Sequence, residues 1–247
     1  MMASDAIEAV RADRDAVLRI GAALTAEDWR AGSGCPGWSV QDLVAHLSMG
    51  FWTLADAARL PDVSGLATER AQEVLVASRR DWDAGAVLAD YEEVSGIALD
   101  RMKDLLTLDL EVPLGDLGTY PAAVLPSAFA FDHYTHIRAD LFAPRGPLAG
   151  PPPASDELRA GAALDWIEAA LPQQNPAAEQ AGTFVLRIHG AGGRTIRFGS
   201  GPAQATISSG APAFIRWVTQ RGSWAELGVQ TAGDEAALAA ARGLKVF

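Results

Sequence analysis

The sequence predicts an α+β chain, with an N-terminal four-helix bundle followed by a small α+β C-terminal unit. Three observations predict it. Apolar residues recur every three to four positions through the first 140 or so residues, a proline-rich run interrupts the chain near residue 150, and the remainder alternates apolar and polar residues between glycine turns. With 247 residues, 49% hydrophobic and 21% charged, the chain has the composition of a globular protein with a substantial core.

Each element follows from local pattern. In residues 5–24, Ile7, Val10, Ala16, Val17, Ile20 and Leu24 make the first amphipathic stripe. AGSGCPGW (31–38) breaks it with three glycines and a proline. Ser39 is the expected N-cap of a second helix, and Asp42 three residues on completes a capping box with Asp in place of Glu. Val40, Leu43, Val44, Leu47, Phe51 and Leu54 form its apolar stripe. A third helix is expected over about 84–107, a turn-rich EVPLGDLGTYP at 111–121, and a fourth helix over about 123–142. Four helices with a long connection between the second and third read as a bundle.

APRGPLAGPPPASDE (143–157) holds five prolines and two glycines and cannot continue a helix. It marks the expected division: residues 1–143 as the helical bundle, 144–154 as linker, 155–247 as the C-terminal unit. Beyond a helix at 158–171, the segments TFVLRIHG, GRTIRFGSG and AQATISSG read as strands. A short helix (PAFIRWVTQ), a further strand (LGVQTAG) and a last helix starting near Asp234 close the chain.

Twenty Lys and Arg against thirty-one Asp and Glu leave a net charge of −11, which disfavours nucleic acid and anionic membranes as partners. The single cysteine, Cys35, excludes an internal disulfide framework and a multi-thiolate zinc ribbon. The charged N-terminus has no apolar core of a signal peptide, and no run of apolar residues is long enough to span a bilayer. The expectation is a cytoplasmic protein. GAGGRT and GSGPA lack the context of a phosphate loop, and no G-x-S-x-G elbow is present.

Three of the four histidines bear on chemistry. His46 falls on the margin of the second helix's apolar stripe and should point between helices. On the fourth helix, Asp132, His136 and Asp140 are spaced i, i+4, i+8 on one face. A histidine and a carboxylate one turn apart can supply two metal ligands, and His46 facing them would make a third, leaving a fourth position open. Two imidazoles and one carboxylate suit zinc, or nickel, better than magnesium or calcium. His133 lies further round the helix and is excluded from that point. The same patterns also describe a solvated acidic face and a hydrogen-bonded core histidine, and both readings stay open. Cys35 reads as a small turn residue, His189 as a structural strand residue, and Trp29, Trp38 and Phe51 as aromatics pinning the turn before the second helix.

CPGWSVQDLVAHL (35–47), followed far downstream by DHYTHIRADL (132–141), resembles the actinobacterial mycothiol-dependent maleylpyruvate isomerase family, within the wider DinB-like four-helix superfamily. The tail, with RWVTQRG and VQTAGDEAAL, resembles that family's C-terminal domain, which is related to sterol-carrier folds. The resemblance implies a divalent metal, usually zinc, on His46, Asp132 and His136, with Asp132 standing where the family has Glu. It also implies an active-site arginine at Arg221. It further implies mycothiol or a similar low-molecular-weight thiol as cofactor, and a small-molecule substrate. Addition of the thiolate to a maleyl-type double bond would permit rotation, and elimination would return the trans isomer. The function expected is therefore a metal- and thiol-dependent isomerase or transferase acting on a small electrophile. The alternatives are a non-catalytic small-molecule binding protein and a metal-dependent hydrolase.

Overall fold

A computed structural model describes residues 3–247. Its N-terminal half carries α1 (Ala3–Ala23), α2 (Ala26–Arg30), α3 (Val40–Ala55), α4 (Thr68–Ala77), α5 (Ala84–Leu105) and α6 (Leu125–Thr135). α1, α3, α5 and α6 are the four helices the apolar periodicity predicts. α3 starts where its cap dictates: the Ser39 side chain accepts from the Asp42 backbone N–H at 3.1 Å, and Asp42 Oδ2 accepts from the Ser39 N–H at 2.9 Å.

Three features depart from the sequence expectation. The short helices α2 and α4 are additional: α4 falls in the expected long connection, and the sequence pattern assigns α2 nothing. α2 is only five residues long, fixed by a second capping box between Thr25 and Asp28, and α4 buries only Leu75 and Val76, so neither presents a long stripe. The segment 111–121 is a hairpin of β1 (Glu111–Pro113) and β2 (Thr119–Pro121), too short for alternation to register. Finally, the fourth helix is not α-helical to its end, because His136–Leu141 form a π-helical turn.

The C-terminal half comprises α7 (Glu157–Gln174), α8 (Pro176–Ala181), β3 (Phe184–His189), β4 (Arg194–Phe198), β5 (Ala205–Gly210), α9 (Ala211–Val218), β6 (Gln230–Gly233) and α10 (Glu235–Arg242). The sheet order is β4-β3-β5-β6, with β3 and β5 parallel and the outer pairs antiparallel. Alternation turns Phe184, Leu186 and Ile188 of β3 into the core, beside Ile207 of β5 and Phe198 of β4.

Two hydrophobic cores result, one inside the bundle and one between α7, α9, α10 and the sheet. α6 serves both. Its Ala130 faces the bundle core, as does Ile137 from the π turn, whereas Phe131 and Tyr134 enter the core built on the sheet. A helix apolar on several sides must be covered on several sides, and α1 and α7 both pack on α6. The proline run between α6 and α7 therefore links halves that share a helix, and the loops at that junction frame the candidate site.

Candidate functional site

α3 and α6 meet with their polar positions facing one another. His46 of α3 and His136 of the π turn place their rings 4.9 Å apart in an edge-on arrangement. Between them stands Asp132, whose Oδ1 lies 3.2 Å from His46 Nε2 and 3.3 Å from His136 Nε2. The structure thus brings together all three residues singled out as metal ligands, with one donor atom of each within 4.8 Å of the others.

The outward nitrogens of both rings are committed elsewhere. His46 Nδ1 donates to Gln72 Oε1 of α4 at 3.1 Å, and His136 Nδ1 donates to Asp140 Oδ2 at 2.8 Å. Each bond fixes a tautomer in which Nε2 presents its lone pair to the shared point. Three acceptors then face one another across about one atom's width, an arrangement satisfied only by a proton or a cation. In the metal-free protein the proton is favoured. Burial disfavours charge on His136, but Asp132 and Asp140 outweigh it and lift the imidazole well above its ordinary value. Burial likewise works against ionisation of Asp132, yet the two imidazoles hold its carboxyl well below the usual range. The donor set fits a divalent ion of the zinc type, namely two imidazole nitrogens and one carboxylate oxygen, with protein groups orienting both rings.

His133, the residue excluded from this point, is fully buried in the bundle. Its Nδ1 donates to the Phe129 carbonyl at 2.9 Å, leaving Nε2 to accept from the Tyr91 hydroxyl at 3.0 Å. Burial lowers its imidazole, and it is a core histidine. His189 lies exposed on β3, away from the cavity.

Asp140 is the structural hub. It is fully buried, and besides His136 it receives Arg221 Nε at 3.0 and 2.8 Å and Arg221 Nη2 at 2.6 Å. Its backbone carbonyl accepts from the Gly34 N–H at 2.8 Å. Gly34 is required for that approach, since a Cβ there would stand 2.8 Å from Asp140 Cα. Burial opposes ionisation of Asp140, but His136 and Arg221 hold its carboxyl far below the ordinary range.

Arg221 therefore reaches the site from the C-terminal half, as the resemblance implies. Its Nε–Nη2 edge, the one suited to bidentate capture of a substrate carboxylate, is turned onto Asp140, and Nη1 donates to the Thr219 carbonyl at 3.1 Å. That occupancy argues for a positioning role.

Four neighbours take places in the site that the sequence did not assign them. Cys35 Sγ sits 3.4 Å from Asp140 Oδ2 and 3.6 Å from His136 Nδ1, so it is more than a small turn residue. Trp38 is half-buried, with its ring 5.1 Å from His46 and Nε1 donating to Glu73 Oε2 at 2.9 Å. It walls the site, whereas Trp29 and Phe51 are core residues. Gln72 and Glu73 belong to α4, a helix the periodicity does not reveal. The C-P-G-W turn was the available signal for Cys35 and Trp38, since it ends directly at the cap of the helix bearing His46.

These groups border a cavity of about 710 Å³ lined by residues of both halves, including Trp38, Phe131, Asp132 and Thr219. No described helix is long and apolar enough to cross a membrane.

Residues 10–136 match the model of the mycothiol maleylpyruvate isomerase N-terminal domain, and residues 157–240 match the MDMPI C-terminal domain. Comparison with curated proteins gives no match. The crystal structure of the mycothiol-dependent maleylpyruvate isomerase is similar with a TM-score of 0.62 and 16% identity, covering 95% of each chain. A histidine-to-alanine mutant of that enzyme gives 0.61 and 14%, again over 95% of each chain. At such identity the likeness shows the fold. The N-terminal match spans more than half of the sequence, and the chain belongs to the mycothiol maleylpyruvate isomerase N-terminal domain family.

Proposed function

We propose that this protein is a metal- and thiol-dependent enzyme, an isomerase or transferase that acts on a small electrophilic substrate in the manner of maleylpyruvate isomerase. The observation that carries the reading is the convergence of His46 Nε2, His136 Nε2 and Asp132 Oδ1, with each Nδ1 held by a partner of its own. His46, Asp132 and His136 would hold a divalent ion, zinc by donor chemistry and nickel next. A bound ion there supplies a positive charge that keeps the sulfur of a mycothiol-type thiol in its thiolate form at neutral pH.

The chain's own groups do the rest. Gln72 and Asp140 keep the Nδ1 protons in place, so both rings stay turned inward. Arg221 balances the buried Asp140 charge and ties the C-terminal half to the ligand-bearing helix. Trp38 and Phe131 give the cavity apolar walls that restrict water around a reacting sulfur. A space of about 710 Å³ is within the range of small-ligand pockets and accommodates a thiol beside a small substrate. The one-methylene-shorter Asp132 is matched by the close approach of α3, which sets His46 Nε2 at 3.2 Å from its carboxylate, while the i, i+4 spacing sets His136 Nε2 at 3.3 Å.

The test is metal analysis of untagged protein combined with assays on a panel of electrophiles, maleylpyruvate included, with and without mycothiol. The expected result is about one equivalent of metal and turnover that requires both metal and thiol. Metal-dependent turnover indifferent to thiol would replace this reading by a hydrolase. Absence of both metal and turnover would replace it by a binding protein.

A further inference from the structure

Two guanidinium groups line the cavity, Arg221 and Arg145, and their commitments differ. Arg221 spends its bidentate edge on Asp140 and an Nη1 donor on Thr219. Arg145 spends Nη2 on the Gly34 carbonyl at 2.6 Å and approaches Asp140 Oδ1 only at 3.5 Å through Nε. A guanidinium carries five donors, so most of those on Arg145 remain for a ligand. Arg221 and Arg145 share one carboxylate, and Arg221 already covers both of its oxygens, so Arg145 is the less committed of the two guanidinium groups.

Arg145 is also held in place. It lies in the turn that leaves the π-helical segment, and the turn is bound by Gly146 N–H to Phe142 O at 2.9 Å and by Leu148 N–H to Leu141 O at 3.0 Å. Gly146 presses on the backbone so closely that a Cβ would fall 2.2 Å from the Leu141 carbonyl carbon. A guanidinium on a pinned turn, one-third exposed beside a cavity, loses little entropy when it captures a planar anion.

We propose that Arg145 is the specificity-determining residue of this site and receives a carboxylate of the substrate, with Arg221 serving to position Asp140. The proposal rests on the catalytic reading above and takes from it a carboxylate-bearing substrate of the maleylpyruvate type. It assigns the anion contact to a residue outside the metal ligands.

The test uses succinate, a dicarboxylate that cannot react, titrated into wild type, Arg145→Gln, Arg145→Lys and Arg221→Lys while tryptophan fluorescence is followed. Metal content and melting temperature are measured in parallel. Wild type is expected to bind succinate, Arg145→Gln to weaken it at least tenfold at unchanged metal content, and Arg145→Lys to fall between them. Arg221→Lys should instead lower metal content and melting temperature. In turnover assays Arg145→Gln should raise KM far more than it lowers kcat. Equal succinate binding by wild type and Arg145→Gln, or none by wild type, overturns the proposal. Because succinate binding is read without turnover, a failure of metal or thiol dependence would count against the catalytic reading alone.

Discussion

Arg221 closes on Asp140 across the junction of the two halves, with Nε at 2.8 Å and Nη2 at 2.6 Å from the same carboxylate oxygen. Asp140 in turn orients His136, so the C-terminal half bears on a metal-ligand candidate through an acid of the helical half. Asp140→Asn removes the buried charge that Arg221 needs and disturbs the acceptor of His136 Nδ1. The expected cost is about 3 kcal/mol in stability, the low end for breaking a buried pair because Arg221 keeps some solvent access. Metal affinity should fall on the order of 10–100-fold, as it does when such supporting partners are lost. Chemical denaturation and metal titration check the two effects separately.

His46→Ala, Asp132→Ala and His136→Ala should each lower bound metal several-fold, because each removes one of three converging donors. His133→Ala should leave stoichiometry near one while lowering stability, since it deletes a buried ring and strands the Tyr91 hydroxyl. Metal analysis with thermal denaturation of the four variants separates ligand from core. Loss of metal in His133→Ala at retained fold would contradict the arrangement.

Metal binding should strengthen with rising pH. Burial opposes charge on His136, but Asp132 and Asp140 raise its imidazole well above the ordinary value, so the metal-free protein carries a proton that the ion must displace. Affinity should climb by up to about tenfold per pH unit until that raised value is passed. In the metal-free protein the sign reverses. The stabilisation from protonated His136 is complete below the unfolded-state value, near 6.5, and is lost as pH rises through the folded value. Calorimetry in buffers of different ionisation enthalpy reads the released proton directly.

The two tryptophans of the first turn region should behave differently. Trp29 is buried to 5% exposure, and Trp29→Ala should cost about 3–5 kcal/mol. Trp38 is only half-buried and stands against His46, so Trp38→Ala should alter ligand binding or metal affinity more than melting temperature. Denaturation curves of both variants, beside titrations with metal, give the comparison.

Gly34→Ala should damage the site without touching a ligand. The new methyl would meet Asp140 Cα and Oδ1 at 2.8 Å and push the turn carrying Cys35 off the π-helical segment. Reduced metal affinity at near-native secondary structure is the expected outcome, read by circular dichroism and metal titration.

Much of this arrangement was legible in the residues themselves. The Ser39–Asp42 box fixes where α3 begins, hence which way His46 points, and the i, i+4 spacing of Asp132 and His136 fixes their common face. Partners from short or irregular segments were not legible. Gln72 and Glu73 ride on α4, whose ten residues bury only two side chains, and such a helix leaves no long periodic trace. Arg145 sits in the proline-rich run, where composition announces the end of a helix but says nothing of which side chain turns inward. The pairing of Arg221 with Asp140 spans 81 residues, and local spacing carries no information about it.

The π-helical turn at His136–Leu141 is, in chain terms, one residue more than an α-helix would use to cover the same distance. Within the turn Asp140 bonds the ring of His136 four residues back, while Leu141 and Phe142 still reach the bundle core. A chain lacking the surplus residue could keep both imidazoles and the carboxylate between them, yet its next acid would emerge elsewhere around the axis. Removing one residue from this turn would leave His46, Asp132 and His136 in place while rotating every side chain after it, Arg145 included, about the helix axis.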